Sequence, residues 1–361
     1  MRIAYLIHWN EGPESGVYKK VVSQITEWTR LGHEVGMFLF TMHDTQDWSD
    51  SLQTAQVTVQ TYQRGLGRFS DFKKLIQRVD QWNPDVIYHR FDLFYFGLPA
   101  LLRKIPSVLE INTNDMTEMR IGNKLRYMYH ALTRDFVLES TSGYVFVSGE
   151  IAESENFRRQ AKDRIIIGNS IALNDFPSTP PASNETPRLI FIGTPGLSWH
   201  GVDAIAEMAR MHESWHFDII GVPSSELKKP IPDNMMFHGK LTRAQYEPLM
   251  QQADVAIGSL ALYRKKMKEA SPLKVREYLA YGLPVINGYV DTDFKEQVPF
   301  ILQIPNEPGN TVKAADAIEK FVHSWQGRRV DRSQVECLDT AVKESVRLGY
   351  MKRITEKGGI R

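Results

Sequence analysis

Short apolar runs recur along this chain, each leading through a loop into a stretch whose apolar residues fall at helical spacing. No other feature limits the fold as much. RIAYLIHW, VGMFLF, PDVIYHR, IPSVLEI and TSGYVFV are largely apolar on both faces, as strands of a parallel sheet covered by helices must be. AQVTVQTY continues the series. Residues 177–187, PSTPPASNETP, break the rhythm, and RLIFIG, WHFDIIG, NMMFHGKL, ADVAIGSL and PVINGYV then restart it. The expectation is an α/β chain with Rossmann-like domains over residues 1–176 and 188–335 and a linker over 177–187. Val335 to Glu356 reads as one long terminal helix within a last segment, 336–361.

Composition removes several classes. With 44 basic against 43 acidic residues the net charge is +1, so nothing global argues for nucleic acid, and no nucleic-acid partner is expected. The single cysteine, Cys337, rules out an intrachain disulfide and a cysteine metal cluster, which fits a reducing, cytoplasmic setting. MRIAYLIHWN turns polar too soon for a signal peptide, and no apolar run nears the ~20 residues that spanning a membrane needs.

The densest chemistry lies in KMKEASPLKVREYLAYGLPVING, Lys266 to Gly288. Glu269 precedes Ser271-Pro272, read as the N-cap and first turn of a helix that Gly282 and Pro284 close, with Glu277 inside it. Backbone N–H groups and the positive dipole end near Ser271, Leu273 and Lys274 can hold an anion, phosphate first among candidates. The plain alternative is a surface αβ unit with Lys274 and Arg276 solvated and Glu277 paired outside.

Glu269 and Glu277 in E-x7-E spacing, followed by the helix, the glycine stop and the strand PVI, resemble the donor-site signature of the family-4 retaining glycosyltransferases. That resemblance implies the GT-B fold: two Rossmann-like domains facing a cleft, with a C-terminal helix crossing back to the first. It implies a nucleotide-sugar donor, UDP-glucose before GDP-mannose, and a saccharide or lipid-linked saccharide acceptor. Glu269 would contact the donor sugar as a catalytic residue, Glu277 the ribose, and Ser271, Pro272, Leu273 and Lys274 the diphosphate. After Gly193 the family clamps the diphosphate with an Arg and a Lys; Thr194 and His200 hold those places here. Charge is therefore expected from Arg264, Lys265, Lys266 and Lys268, with Lys266 foremost and a protonated His200 at most assisting. Lys240 and Leu241, with Gly239, fall where the family reads the nucleobase through backbone groups.

In the first domain the resemblance places a ligand-approaching loop at Gly16, with Ser15 where the family often has a second glycine. Asn112 falls where many members carry an active-site His; an Asn cannot act as a base but can orient a hydroxyl. His89, Arg90 and Asn114 are the acceptor-side expectations, although a satisfied strand-end histidine is the plainer reading of His89. Asp291-Thr292-Asp293 is a D-x-D, the metal-nucleotide motif of the other large glycosyltransferase fold, and is given no ligand role; no metal and no cofactor are expected. From Met119 to Thr133, basic and apolar residues alternate at helical spacing. That pattern suits a packed helix, the preferred reading, with acceptor contact or peripheral contact with the inner face of a membrane as the lesser one. A noncatalytic sugar-nucleotide-binding protein, and an epimerase or phosphorylase on the same fold, remain the alternatives.

Overall fold

The structure, a computed structural model, describes residues 1–358 apart from 14, 44–47, 49–51, 53, 54, 91, 122, 161, 178 and 229. It divides into two units, Met1–Ser170 with Thr340–Arg361, and Ile171–Asp339.

The first unit holds a parallel sheet of β1 (Arg2–His8), β2 (Glu34–Thr41), β3 (Gln56–Thr61), β4 (Val86–Arg90), β5 (Ser107–Ile111), β6 (Gly143–Phe146) and β7 (Asp163–Ile166). Their order is β3-β2-β1-β4-β5-β6-β7. Connections reverse direction between β1 and β4, so the carboxyl ends of those strands border the crevice where open α/β sheets take ligands. The connecting helices are α1 (Gly16–Arg30), α2 (Gly67–Trp82), α3 (Leu98–Lys104), α4 (Asp115–Ile121), α5 (Lys124–Ser140) and α6 (Gly149–Glu153). Ser15, in the place of a second glycine, is the N-cap of α1: its Oγ accepts the Tyr18 N–H at 3.2 Å.

The second unit repeats the plan with β8 (Arg188–Ile192), β9 (His216–Ile220), β10 (Met235–Gly239), β11 (Val255–Ile257), β12 (Glu269–Ala270), β13 (Val285–Asn287), β14 (Val290–Asp291) and β15 (Ile301–Gln303). Six form a parallel sheet, β10-β9-β8-β11-β13-β15, while β12 and β14 pair separately. Its helices are α7 (Val202–Met211), α8 (Arg243–Gln252), α9 (Leu273–Ala280), α10 (Asn310–Lys313) and α11 (Ala315–Trp325).

Two expected boundaries shift. Residues 171–176, expected with the first domain, belong to the second unit, because Leu173 and Phe176 are buried there with Tyr278, Tyr281 and Leu338. The last helix, α12, is Thr340–Gly358 and not a helix from Val335, since Arg332–Leu338 is a 3₁₀ turn. Asp339 explains the break: its carboxylate accepts the Leu173 N–H at 3.1 Å while Leu338 O accepts the Ile171 N–H at 3.0 Å, holding the chain extended between the two helical segments. From there α12 enters the core of the first unit, where Leu348, Tyr350, Met351 and Ile354 pack with Ile3, Tyr5 and Trp28. Glu344 receives the Trp28 indole N–H at 2.8 Å, and Arg347 donates to Tyr88 Oη at 2.8 Å.

Candidate functional site

Helix α9 organises the polar groups of the second unit. It begins at Leu273, with Pro272 rather than Ser271 as N-cap and no side-chain cap, which leaves the first amides, those of Leu273 and Lys274, without intrahelical acceptors. Ser271 is engaged otherwise: its Oγ accepts Arg276 Nη2 at 2.7 Å. Glu269, on β12, is buried at 8% exposure with Lys295 Nζ 3.4 Å from its carboxylate. Glu277 lies two turns on and accepts the Tyr246 hydroxyl of α8 at 2.6 Å. Lys240 is exposed and Leu241 half-buried just past the carboxyl end of β10, beside Gly239 in the left-handed region (φ 66°).

Lys274 and Tyr278, one turn apart on α9, grip the carboxyl end of β8. Lys274 Nζ donates to Ile192 O at 3.1 Å, and Tyr278 Oη accepts the Ile192 N–H at 2.7 Å. The lysine lies over the Phe191 ring, 4.1 Å from its centroid, and 3.3 Å from His200 Nδ1. Burial in these surroundings lowers its pKa to about 7. His200 Nε2 accepts the Thr194 N–H at 3.1 Å, so the neutral ring carries its proton on Nδ1. Burial first, then the Lys274 and Lys265 charges, lower the His200 pKa to about 3. The expected assistance from a protonated His200 is thereby corrected: the ring is neutral around pH 7 and serves as an acceptor. Gly193 packs so closely on Phe191 and Val222 that a Cβ there would overlap both, which holds the loop after β8 down on the sheet.

The basic run expected to supply charge is differently placed. Arg264 pairs with Asp203 at 2.6 and 2.9 Å and donates to Ser198 O at 2.7 Å, while Lys265 lies 4.3 Å over the Trp199 ring. Lys266 is exposed and occupies the left-handed region at φ 55°. Arg264 and Lys265 thus meet the Thr194–His200 loop at Ser198 and Trp199, whereas Lys274 meets it at His200, beside the carboxyl end of β8. Arg276, the other α9 cation, is fully buried rather than solvated: its Nη1 meets Asp291 at 2.5 Å, and its Nη2 meets Asp291 at 2.9 Å and Asp293 at 2.7 Å. Both carboxylates of the D-x-D thus neutralise an arginine.

The first unit gathers its own charges at the carboxyl ends of its central strands. Lys20 Nζ, from α1, donates to Glu110 Oε1 at 2.8 Å and to Asn112 Oδ1 at 3.3 Å. Arg90 and Arg347 approach the same carboxylate at 3.4 and 3.8 Å. Burial alone would raise the Glu110 pKa, but these three cations hold it well below the carboxylate range, while burial lowers Lys20 to about 8. His89 and Arg90 do not share a face, since neighbouring strand residues alternate. The histidine is buried, Nε2 3.4 Å from Thr141 Oγ1, and burial takes its pKa to about 3; this corrects its acceptor-side reading to that of a core residue. Asn114 accepts the Asn156 amide at 2.7 Å and the Thr117 N–H at 3.3 Å, a capping role. Gly16 is the first residue of α1. Sequence reasoning missed His8, at the end of β1, whose Nδ1 meets the Asp92 carboxylate and whose Nε2 meets Tyr62 Oη at 2.6 Å. Their positions, 84 and 54 residues from His8, give no local signal.

Residues 15–173 match the family described as Glycosyltransferase Family 4, and residues 186–324 the family described as Glycosyl transferases group 1. Among curated proteins none matches. Solved structures share the fold at low identity. A lipopolysaccharide outer core galactosyltransferase, WaaB, in its apo form aligns over 96% of this chain and 97% of its own at 12% identity, TM-score 0.65. Alr3699/HepE from Anabaena, in complex with UDP and glucose, aligns over 96% and 99% at 14% identity, TM-score 0.63. An alpha-glucosyltransferase in complex with UDP and a 13-mer DNA aligns over 98% and 99% at 11% identity, TM-score 0.63.

Proposed function

The chain belongs to glycosyltransferase family 4, and from that premise we propose that it moves a hexose, glucose foremost, from a UDP-sugar to a hydroxyl of a saccharide or lipid-linked saccharide in glycan synthesis, with retention and without a bound metal. The observation that carries this reading is the start of α9, where two backbone amides without intrahelical acceptors, the Lys274 amine and two carboxylates come from one short stretch. The amides and Lys274 suit a diphosphate. Glu269 orients the transferred sugar and Glu277, which already accepts a hydrogen bond from the Tyr246 hydroxyl, accepts ribose hydroxyls. Leaving-group charge grows as the glycosidic bond breaks, and a donor aimed at it is worth about 2.7–4 kcal/mol. Lys274 takes that role in place of Lys266. Asn112, bonded to Lys20, and Arg90 are the acceptor-side candidates that the first unit retains.

A thermal-shift panel tests the donor class. UDP at about 100 times its dissociation constant adds about 2.7 kcal/mol of stability, and UDP should shift Tm more than GDP does. Equal, negligible shifts with every nucleotide and nucleotide-sugar would remove the donor site. A noncatalytic binding protein is the second reading, favoured by Thr194 and His200 in the clamp places; it predicts the same shift without release of nucleotide.

A further inference from the structure

We infer that α5 and the aromatic loop beside it form a docking surface for an anionic lipid bilayer. The inward face of α5 mixes polar and apolar groups: Arg134 and His130, both buried, reach the Asp115 carboxylate at 2.8 and 2.6 Å, beside buried Val137 and Leu138. Its outward face carries Leu125, Met128, Leu132 and Phe136, exposed at 75, 56, 75 and 56%. Leu125, Met128 and Leu132 belong to the Met119–Thr133 run whose spacing suggested a packed helix, and for them that reading is reversed; Tyr129 of the same run is packed, donating to Phe94 O at 2.8 Å, and Gly122 lies outside the described residues.

The apolar surface continues beyond the helix. Phe136 meets Phe94 with ring centroids 5.8 Å apart, Phe94 meets Phe96 at 5.4 Å, and Phe96 meets Phe69 at 6.0 Å. Phe96 is 67% exposed, and Leu66, one turn before Phe69, is 85% exposed. Single exposed apolar residues are ordinary, whereas a joined patch of aliphatic and aromatic side chains marks a contact surface.

Charge selects the occupant. Lys124, Arg126 and Arg120 stand exposed at the amino end of α5, and Arg64 stands exposed beside Leu66. Tyr127, half-buried under Arg120, accepts its Nε–H at 3.2 Å. The acidic residues of the outward face, Asp135 and Glu139, stand at the other end of the helix. Basic and interfacial aromatic groups bordering a leucine and phenylalanine stripe suit a helix lying in the headgroup region, tilted with its amino end toward anionic lipid. The surface lies on rather than spans: among the described residues no helix is long and apolar enough to cross a membrane.

Flotation of the full chain with vesicles tests this, using phosphatidylcholine alone or mixed with phosphatidylglycerol. The parent protein should float with the anionic vesicles only, and less at raised salt. Leu132→Glu should weaken partitioning about tenfold or more, and Lys124→Glu or Arg64→Glu about fivefold each. Tm and the UDP-induced shift, which report folding and the donor site, should stay at parental values in all three. Failure of the parent to float with anionic vesicles, or flotation of Leu132→Glu equal to the parent, overturns the inference. So does a concentration-dependent dimer in sedimentation velocity that Leu132→Glu abolishes, which would assign the face to a second copy.

Discussion

Lys274 is a half-buried ammonium whose pKa of about 7 invites a titration test. A diphosphate beside it favours the charged form, so binding raises its pKa and takes up a proton whenever the free protein is deprotonated there. UDP affinity should therefore be flat below about pH 7 and fall as pH rises above it, by at most about tenfold per pH unit for one proton. Lys274→Met should bind UDP more weakly at low pH and lose that slope. A parental slope in the variant, followed by calorimetry, would assign the cation elsewhere, with Lys266 next in line. The same burial has a stability consequence of opposite sense: between about pH 7 and 10.5 the unfolded chain holds the proton more tightly, so this group adds stability as pH rises through that window. Arg276 supports a second expectation. With Asp291 and Asp293 both committed to its guanidinium, activity should persist in EDTA. Loss of activity that Mn²⁺ or Mg²⁺ restores would return the D-x-D to metal chemistry.

Among the elements, α12 is the one that the first unit most depends on. It supplies Leu348, Tyr350, Met351 and Ile354 to the core and places Arg347 between Glu344 and Tyr88. Removing a partner from a buried charge pair costs about 3–5 kcal/mol, so Glu344→Gln, which takes away the carboxylate 2.8 Å from Arg347 Nε and leaves that of Glu110 at 3.8 Å, should lower Tm by several degrees. A chain ending before Thr340 should lose near-UV dichroism from Tyr5, Trp28 and Tyr88; native-like folding of that truncation would show that α12 is dispensable. Strands and helices were legible because each β–α repeat announces itself by period, and a parallel sheet needs no cross-strand signal to be inferred. The start of α12 was not, because the interruption at Asp339 depends on its bond to Leu173, far away in sequence. Likewise E-x7-E and its glycine stop are local and were readable, whereas Lys274 meets His200 across 74 residues through strand pairing. The sequence suggested a helix start able to hold an anion; which cation attends it is a property of the folded sheet. The apolar stripe of α5 was visible as spacing, but spacing alone does not say which side faces water.

At the scale of the whole molecule two units share the same doubly wound plan, each with a polar cluster at the carboxyl ends of its strands. The central claim, that the start of α9 holds a UDP-sugar and the chain transfers its sugar, is tested most directly by following UDP release and UDP affinity together for the parent, Glu269→Gln and Glu277→Ala. The parent should release UDP from UDP-glucose in the presence of an acceptor saccharide. Glu269→Gln should turn over about a hundredfold more slowly with UDP affinity unchanged, because its carboxylate acts on the sugar as charge develops. Glu277→Ala should weaken UDP binding about tenfold or more, the worth of a hydrogen bond to a charged group. Turnover and UDP affinity at parental values in both variants would contradict the account.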